Sequence, residues 1–287
     1  MSLITEPRST AMPARDGPTT SPARRLRLHV WIAIPVFTAL ALPLLATLLY
    51  AVSTRWGATL LPDGLTLEWL ARLWSTPRFI AAFGRSLFVV AGALMLSLVL
   101  ILPVAFLAHT RYPRLDRWMN VLILAPFAVP PVVSSVGLLQ LYAGGPLPLV
   151  GTPWILMLTY VSIALPFMYR SLINSLRSFE ANELMEAAQL LGASPLTAFF
   201  NVILPNMRLG IRIAIFLSFS FLIGEFVFAN MLVGTRFETL QIYLFNVRRE
   251  SGHFTSALVI TLFVFILILT WLGNGRGEIT APEAGDT

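Results

Sequence analysis

SLFVVAGALMLSLVLILPVAFLAH, residues 86–109, holds no Asp, Glu, Lys or Arg. A helix rises about 1.5 Å per residue, so roughly 20 apolar residues cross the ~30 Å hydrocarbon core of a bilayer. This stretch meets that length. Its one helix breaker, Pro103, would end a helix in water, but inside a membrane neighbouring helices satisfy the carbonyl it frees. Residues 86–109 therefore read as a transmembrane helix, and the bilayer becomes the solvent in which the rest of the chain is read.

Five further apolar stretches flank it, about Val30–Val52, Trp118–Tyr142, Val150–Met168, Ile211–Val233 and Thr255–Leu272. The expected fold is an all-α membrane protein with six transmembrane helices. Pro43, Pro126, Pro130, Pro131 and Pro166 also fall inside these spans, and Pro130-Pro131 predicts a kink or break in the third. Residues 30–52, preceded by Arg24, Arg25 and Arg27, are too long for the 7–15-residue apolar region of a signal peptide and read as an uncleaved span. Composition agrees. Of 287 residues 56% are hydrophobic and 12% charged, against roughly 45–50% and about 25% in soluble domains.

Residues 1–27, rich in Pro, Ser, Thr and Arg, are expected to form a disordered cytoplasmic tail, residues 28–273 the six-helix domain, and 274–287 a second cytoplasmic tail. No internal repeat is evident. The net charge is +6, and every basic residue is arginine. These arginines sit between apolar runs and form no basic–aromatic surface, so orientation in the membrane explains them better than nucleic acid. With the amino terminus inside, Arg8, Arg15, Arg24, Arg25, Arg27, Arg111, Arg114, Arg117, Arg170, Arg177, Arg208 and Arg276 share the inner side. Arg55, Arg72, Arg78, Arg85, Arg236, Arg248 and Arg249 are left outside. Both termini are thus expected inside. Outside, residues 66–75 place Leu67, Leu70 and Trp74 on one face of a helix lying at headgroup level. Residues 234–253, of mixed charge, close the fifth-to-sixth connection.

The long inner loop, about 169–209, carries SFEANELMEAAQLLGASPLTAFFNVILPNMRLG from Ser178 to Gly210. Leu184, Ala187, Ala188 and Leu191 follow i, i+3, i+4, i+7 and predict one apolar helical face. Glu180, Glu183 and Glu186 form an acidic row on another. Gly192 supplies the positive φ that ends a helix. Ser194-Pro195 restarts one, with serine as N-cap and proline at the first position. Two short helices joined by a sharp turn are expected across 178–206.

The order Glu186-Ala187-Ala188, Gly192, Val202, Leu204-Pro205 closely resembles the EAA loop of bacterial binding-protein-dependent ABC importer permeases, with valine where isoleucine is usual. The resemblance extends to residues 86–109, to the loop's place between the fourth and fifth spans, and to the six-helix count. It implies the MetI-like permease fold in a bacterial inner membrane. The first loop helix is then a coupling helix seated in a cleft of a separate ATP-binding subunit, with Glu183 among the coupling residues and Glu186 toward a basic group. Ala187 and Ala188 permit close approach, Gly192 sets the bend, and Leu204-Pro205 closes the motif. The implied partners are ATP-binding subunits, a second permease (identical or different), an extracytoplasmic solute-binding protein and membrane lipid. No cofactor is implied in this chain, since ATP is bound by the partner. The absence of lysine agrees, because a P-loop needs one. LSFSFLIGEFVFANMLVG and LEWLARLWSTPRF resemble the spermidine/putrescine branch, which also takes in aminoethylphosphonate and ferric-iron permeases; Gly224-Glu225-Phe226 also resembles oxyanion permeases.

Glu225 lies in mid-span, where an ionisable group is expected to face the bundle interior. It is either part of the translocation pathway or a packing residue bonded to Ser218, Ser220 or Asn230. In the first case an ion-coupled secondary carrier is the rival to an ATP-driven importer. His29, His109 and His253 are scattered and predict no metal site. With no cysteine, disulfides and thiolate chemistry are excluded. No enzyme motif is present.

Overall fold

A computed structural model describes residues 22–57, 59 and 62–274. The helices in chain order are α1 (Pro22–Ala51), α2 (Glu68–Ser75), α3 (Pro77–Thr110), α4 (Pro113–Leu122), α5 (Ala125–Ala128), α6 (Pro131–Tyr142) and α7 (Pro153–Ser178). They continue as α8 (Ala181–Leu190), α9 (Pro195–Ala198), α10 (Leu204–Asn206), α11 (Arg208–Leu222), α12 (Val227–Leu232), α13 (Leu240–Val247) and α14 (Gly252–Asn274). A π-helical turn, Phe199–Ile203, joins α9 to α10, and a 3-10 turn, Gly234–Phe237, follows α12. The all-α expectation holds.

Four unbroken helices are long and apolar enough to cross a membrane, and two bent pairs raise this to six if each is one span. The third span breaks where Pro130-Pro131 predicts, by 94° between α4–α5 and α6. Other boundaries differ from expectation. α1 begins at Pro22, so residues 22–27 are helical rather than disordered; Pro at a helix start followed by Ala, Arg and Leu favours this. The remainder of that tail, 1–21, and the second tail beyond Asn274 lie outside the described residues. α3 starts at Pro77 rather than Ser86, since Arg78 and Arg85 interrupt hydropathy but not helicity. α7 runs to Ser178, ten residues past the expected Met168, because helices continue beyond the hydrocarbon when nothing breaks them. The fifth span, expected unbroken over 211–233, is interrupted between α11 and α12.

The first compact unit, residues 1–47, contributes to the described structure only α1, with Trp31, Phe37 and Leu40 exposed. The second, residues 48–287, contains the bundle. Its axis is α7, which packs along α3 and α11. The buried seam of α3 is rich in small residues, with Ala82, Ser86, Ala93, Ser97, Ala105 and Ala108 facing inward. In a membrane small residues let helices approach closely enough for dispersion to hold them. Gly210 shows the same need, since a Cβ there would collide with the Ser175 side chain of α7.

Around the opposite end from α8, loops tie the spans together. α2 forms as expected, but it buries Leu73 while Leu67 and Trp74 stay exposed. Residues 234–253, of mixed charge and long enough to have structure, contain a buried apolar helix, α13. His253 is stacked between Tyr50 and Trp69, with ring centroids at 4.1 and 5.5 Å. Glu238, only 8% exposed in its side chain, accepts from Arg78 Nε at 2.9 Å and Nη2 at 2.7 Å, and from Asn246 Nδ2 at 2.8 Å. Burial pushes its carboxyl up, but the bonds from Arg78 and Asn246 outweigh this and hold it below the usual carboxylate range.

A depressed carboxyl stabilises the fold above its unfolded pKa, and that contribution fades as pH falls through the lower folded value. Arg78→Gln is expected to cost about 1–3 kcal/mol at neutral pH by stranding the carboxylate. Its melting-temperature deficit should shrink toward pH 3–4, measured on detergent-solubilised protein. A pH-independent deficit would mean that the pair is not the cause.

Candidate functional site

The loop between α7 and α11 has the local structure its residues predict. α8 opens after Glu180, which sits at φ +50° and accepts from the Glu183 amide at 2.9 Å. It closes at Gly192, φ +88°, where the Gly192 amide reaches Gln189 O at 2.9 Å and the Ala193 amide reaches Ala188 O at 3.0 Å. The left-handed value is why glycine stands there. Ser194 then caps α9, its Oγ accepting from the Thr197 amide at 3.2 Å.

The buried face of α8 is rotated from the expected one. Ala181, Met185 and Ala188 face inward with Leu184 half-buried, whereas Ala187 and Leu191 are exposed. Sequence period locates apolar stripes but cannot choose between two of them; here the π turn packs against the Ala181–Met185–Ala188 side. Glu183 and Glu186 are exposed, and Leu204 and Pro205 are half-buried beyond the π turn. Hydrogen bonding to Glu180, and then its charge, pulls the Glu183 carboxyl above the usual range. An acidic row that repels itself would be relieved by a basic partner.

Bare apolar surface lies beside that row. Leu190 and Leu191 are each 89% exposed and Leu196 71%. Glu186 also borders a groove of about 780 Å³ between α8 and the end of α3, where Phe106, Leu107 and Arg111 form the far wall. The segment thus offers a rigid, partly apolar, acidic helix on a fixed turn.

Three residues brace its root. Tyr169 donates to Asp116 Oδ1 at 2.7 Å, and Arg177 Nη2 lies 3.8 Å from Asp116 Oδ2. α4 is thereby tied to the lower half of α7, just before α8. Sequence reading did not single out Asp116; a lone carboxylate beside Arg114 and Arg117 at a span end was the available signal.

Glu225 faces the bundle interior, as an ionisable group at that depth should. Its partners are not Ser218, Ser220 or Asn230. Oε1 accepts from the Phe228 amide at 2.9 Å, while Oε2 accepts from the Ala229 amide and the Tyr160 hydroxyl, each at 3.1 Å. The carboxylate caps α12, supplying acceptors to amides that a helix start leaves without partners. Tyr160 lay on the buried face of a span with no polar motif around it, so nothing in the sequence marked it. Glu225→Gln places an NH2 donor against a donor and is expected to cost about 1–3 kcal/mol, with Tyr160→Phe costing less. Thermal unfolding of the purified chain checks this, and an unchanged midpoint for Glu225→Gln would contradict the capping role.

Comparison with known proteins agrees with this geometry. Residues 101–274 match the model of the family described as binding-protein-dependent transport system inner membrane component. A Salmonella choleraesuis protein named for a 2-aminoethylphosphonate transport system permease is 27% identical over 278 residues, covering 90% of this chain and 99% of its own length. A molybdenum transport system permease protein of Mycobacterium bovis is 27% identical over 259 residues, covering 83% of this chain and 92% of its own. The spermidine/putrescine transport system permease protein of Escherichia coli is 25% identical over 222 residues, covering 76% and 81%. A chain in the crystal structure of a bacterial ABC transporter importing the acidic polysaccharide alginate superposes with a TM-score of 0.65 at 16% identity, over 91% of this chain and 99% of that one. With more than half its length matched and the fold shared, the chain belongs to the family of binding-protein-dependent transport system inner membrane components.

Proposed function

We propose that this chain is the permease subunit of an ABC importer in the bacterial inner membrane, moving a small solute by alternating access. The observation that carries the reading is the α8–Gly192–α9 element, which presents an exposed acidic and apolar helix on a fixed bend at one end of the bundle. Such a helix can seat in a groove of a separate ATP-binding subunit and move as a lever, where a flexible loop would absorb the motion. Glu183 and Glu186 meet basic groups, exposed Ala187 allows close approach, and Ala188, Leu204 and Pro205 hold the lever to the bundle.

The remaining partners are a second permease, identical or different, an extracytoplasmic solute-binding protein, and lipid. ATP is held by the partner, and no cofactor or catalytic residue is assigned to this chain. The arginine distribution favours both termini in the cytosol. Residues 28–273 act as one permease domain. Glu225 serves the pathway by positioning α12. Its three donors engage both carboxylate oxygens, which disfavours the ion-coupled carrier that a free carboxylate would have supported.

For the solute, the relatives named for aminoethylphosphonate and for spermidine and putrescine support a small amine, although another is named for molybdenum. Both amine classes carry a primary ammonium on a short methylene chain.

Glu186→Arg reverses the charge offered to the ATP-binding subunit, and Gly192→Pro forces φ from +88° toward about −65°. Each is expected to reduce ATP-driven solute uptake by roughly tenfold or more while the protein still inserts in the membrane. Uptake at the normal rate in both variants would refute the lever.

A further inference from the structure

One face of α6, from Ser134 to Tyr142, and one face of α7, from Ile155 to Ile163, line a cavity of about 410 Å³. α6 packs instead against α12, and Phe228 of α12 and Pro126 complete the walls. The cavity lies along the first half of α7, so it is at the end of the bundle away from α8. One turn closer to α8, Phe127, Phe167 and Phe221 contribute one ring from each of three spans, with Phe127–Phe167 and Phe167–Phe221 centroids 6.3 and 4.9 Å apart. That aromatic cluster lies between the cavity and the α8 end of α7, with Phe127 and Phe221 exposed.

No charged side chain lines the cavity, and two of its four hydroxyls have their protons already committed. Thr159 Oγ1 donates to Ile155 O at 2.7 Å, and Ser162 Oγ donates to Thr159 O at 2.6 Å. A hydroxyl has one proton, so both oxygens have only lone pairs left to offer. Ser134 and Tyr142 alone among the lining groups keep a proton to give. An oxyanion needs several donors, ideally charged ones, and would find few here. An ammonium needs acceptors and also gains from aromatic rings nearby, and Tyr142 and Phe228 line the cavity. Methylene groups suit the leucine and isoleucine walls.

We propose that this cavity is a way-station for the primary ammonium group of a small alkylamine, received by the lone pairs of Thr159, Ser162, Ser134 and Tyr142. The assignment rests on the importer reading above and names the part of the solute that this chain recognises. It makes this wall of the pathway favour solutes that carry an ammonium over those, such as molybdate, that carry none.

The test uses membrane vesicles carrying the intact transport system, with radiolabelled putrescine, 2-aminoethylphosphonate and molybdate as probes. The wild type should take up at least one amine when ATP is present and should not prefer molybdate. Thr159→Val with Ser162→Ala should raise the half-saturating amine concentration about tenfold or more. Thr159→Ser, which keeps the hydroxyl, should stay within about twofold. Should the double variant fail to insert, Ser162→Ala alone, at an exposed position, should still show about a threefold rise. ATP-dependent amine uptake with unshifted half-saturation in the variants overturns the way-station and leaves the importer reading intact. Preference for molybdate, or no uptake of either amine, also overturns it. Uptake indifferent to ATP removes the importer reading itself.

Discussion

A helix interrupted among apolar side chains exposes amides and carbonyls that have no water to bond, and each such group costs several kcal/mol in hydrocarbon. Between Leu222 and Val227 the chain makes such an interruption, and the carboxylate of Glu225 supplies the acceptors for the amides of Phe228 and Ala229. The Tyr160 hydroxyl anchors the same carboxylate to α7. α12 can therefore leave the line of α11 and lie against α6, where Phe228 walls a cavity and Leu232 O accepts from the Gly151 amide at 2.8 Å ahead of α7. Without that cap the fifth span would straighten, and the end of the bundle away from α8 would lose its shape.

α7 gives this arrangement its reach. It is continuous from Pro153 to Ser178 and packs along α3, itself unbroken, while the third span is broken at Pro130-Pro131 and the fifth between Leu222 and Val227. The solute-sized cavity lies along its first half, the Asp116–Tyr169–Arg177 brace along its second, and α8 follows two residues beyond its end. A push on α8 thus arrives at an unbroken rod that lies against a second continuous helix, α3, and against the jointed fifth span. Alternating access needs this combination, since rigid elements transmit displacement and broken helices absorb it.

The sequence made the architecture legible wherever a local rule decides the outcome. Length and hydropathy located the spans, Pro130-Pro131 located a break, and Gly192 with Ser194-Pro195 located the turn between α8 and α9. It was silent where tertiary partners decide. Whether Leu191 or Met185 faces inward depends on where the π turn lies. The break before α12 has no proline to announce it, and its cause, a carboxylate bonded to the next turn and to Tyr160, spans 65 positions of chain. Arg78 and Glu238 read as two loop charges far apart until the fold brings them together. The face of Thr159 and Ser162 was hidden for another reason: hydroxyls bonded to their own helix are ordinary in apolar spans, and only the empty space in front of them gives them meaning.

The proposed coupling role requires α8 to be a cytosolic helix pressed against a separate ATP-binding subunit. The chain has no cysteine, so a single one can be placed at Leu190, 89% exposed on the far side of α8 from the bundle. Its reaction with a membrane-impermeant thiol reagent would be followed in sealed vesicles of each orientation, with and without the ATP-binding subunit. Labelling is expected only from the cytosolic side, and it should be suppressed when that subunit is bound. Labelling from the opposite side, or equal labelling with the subunit present, would contradict it.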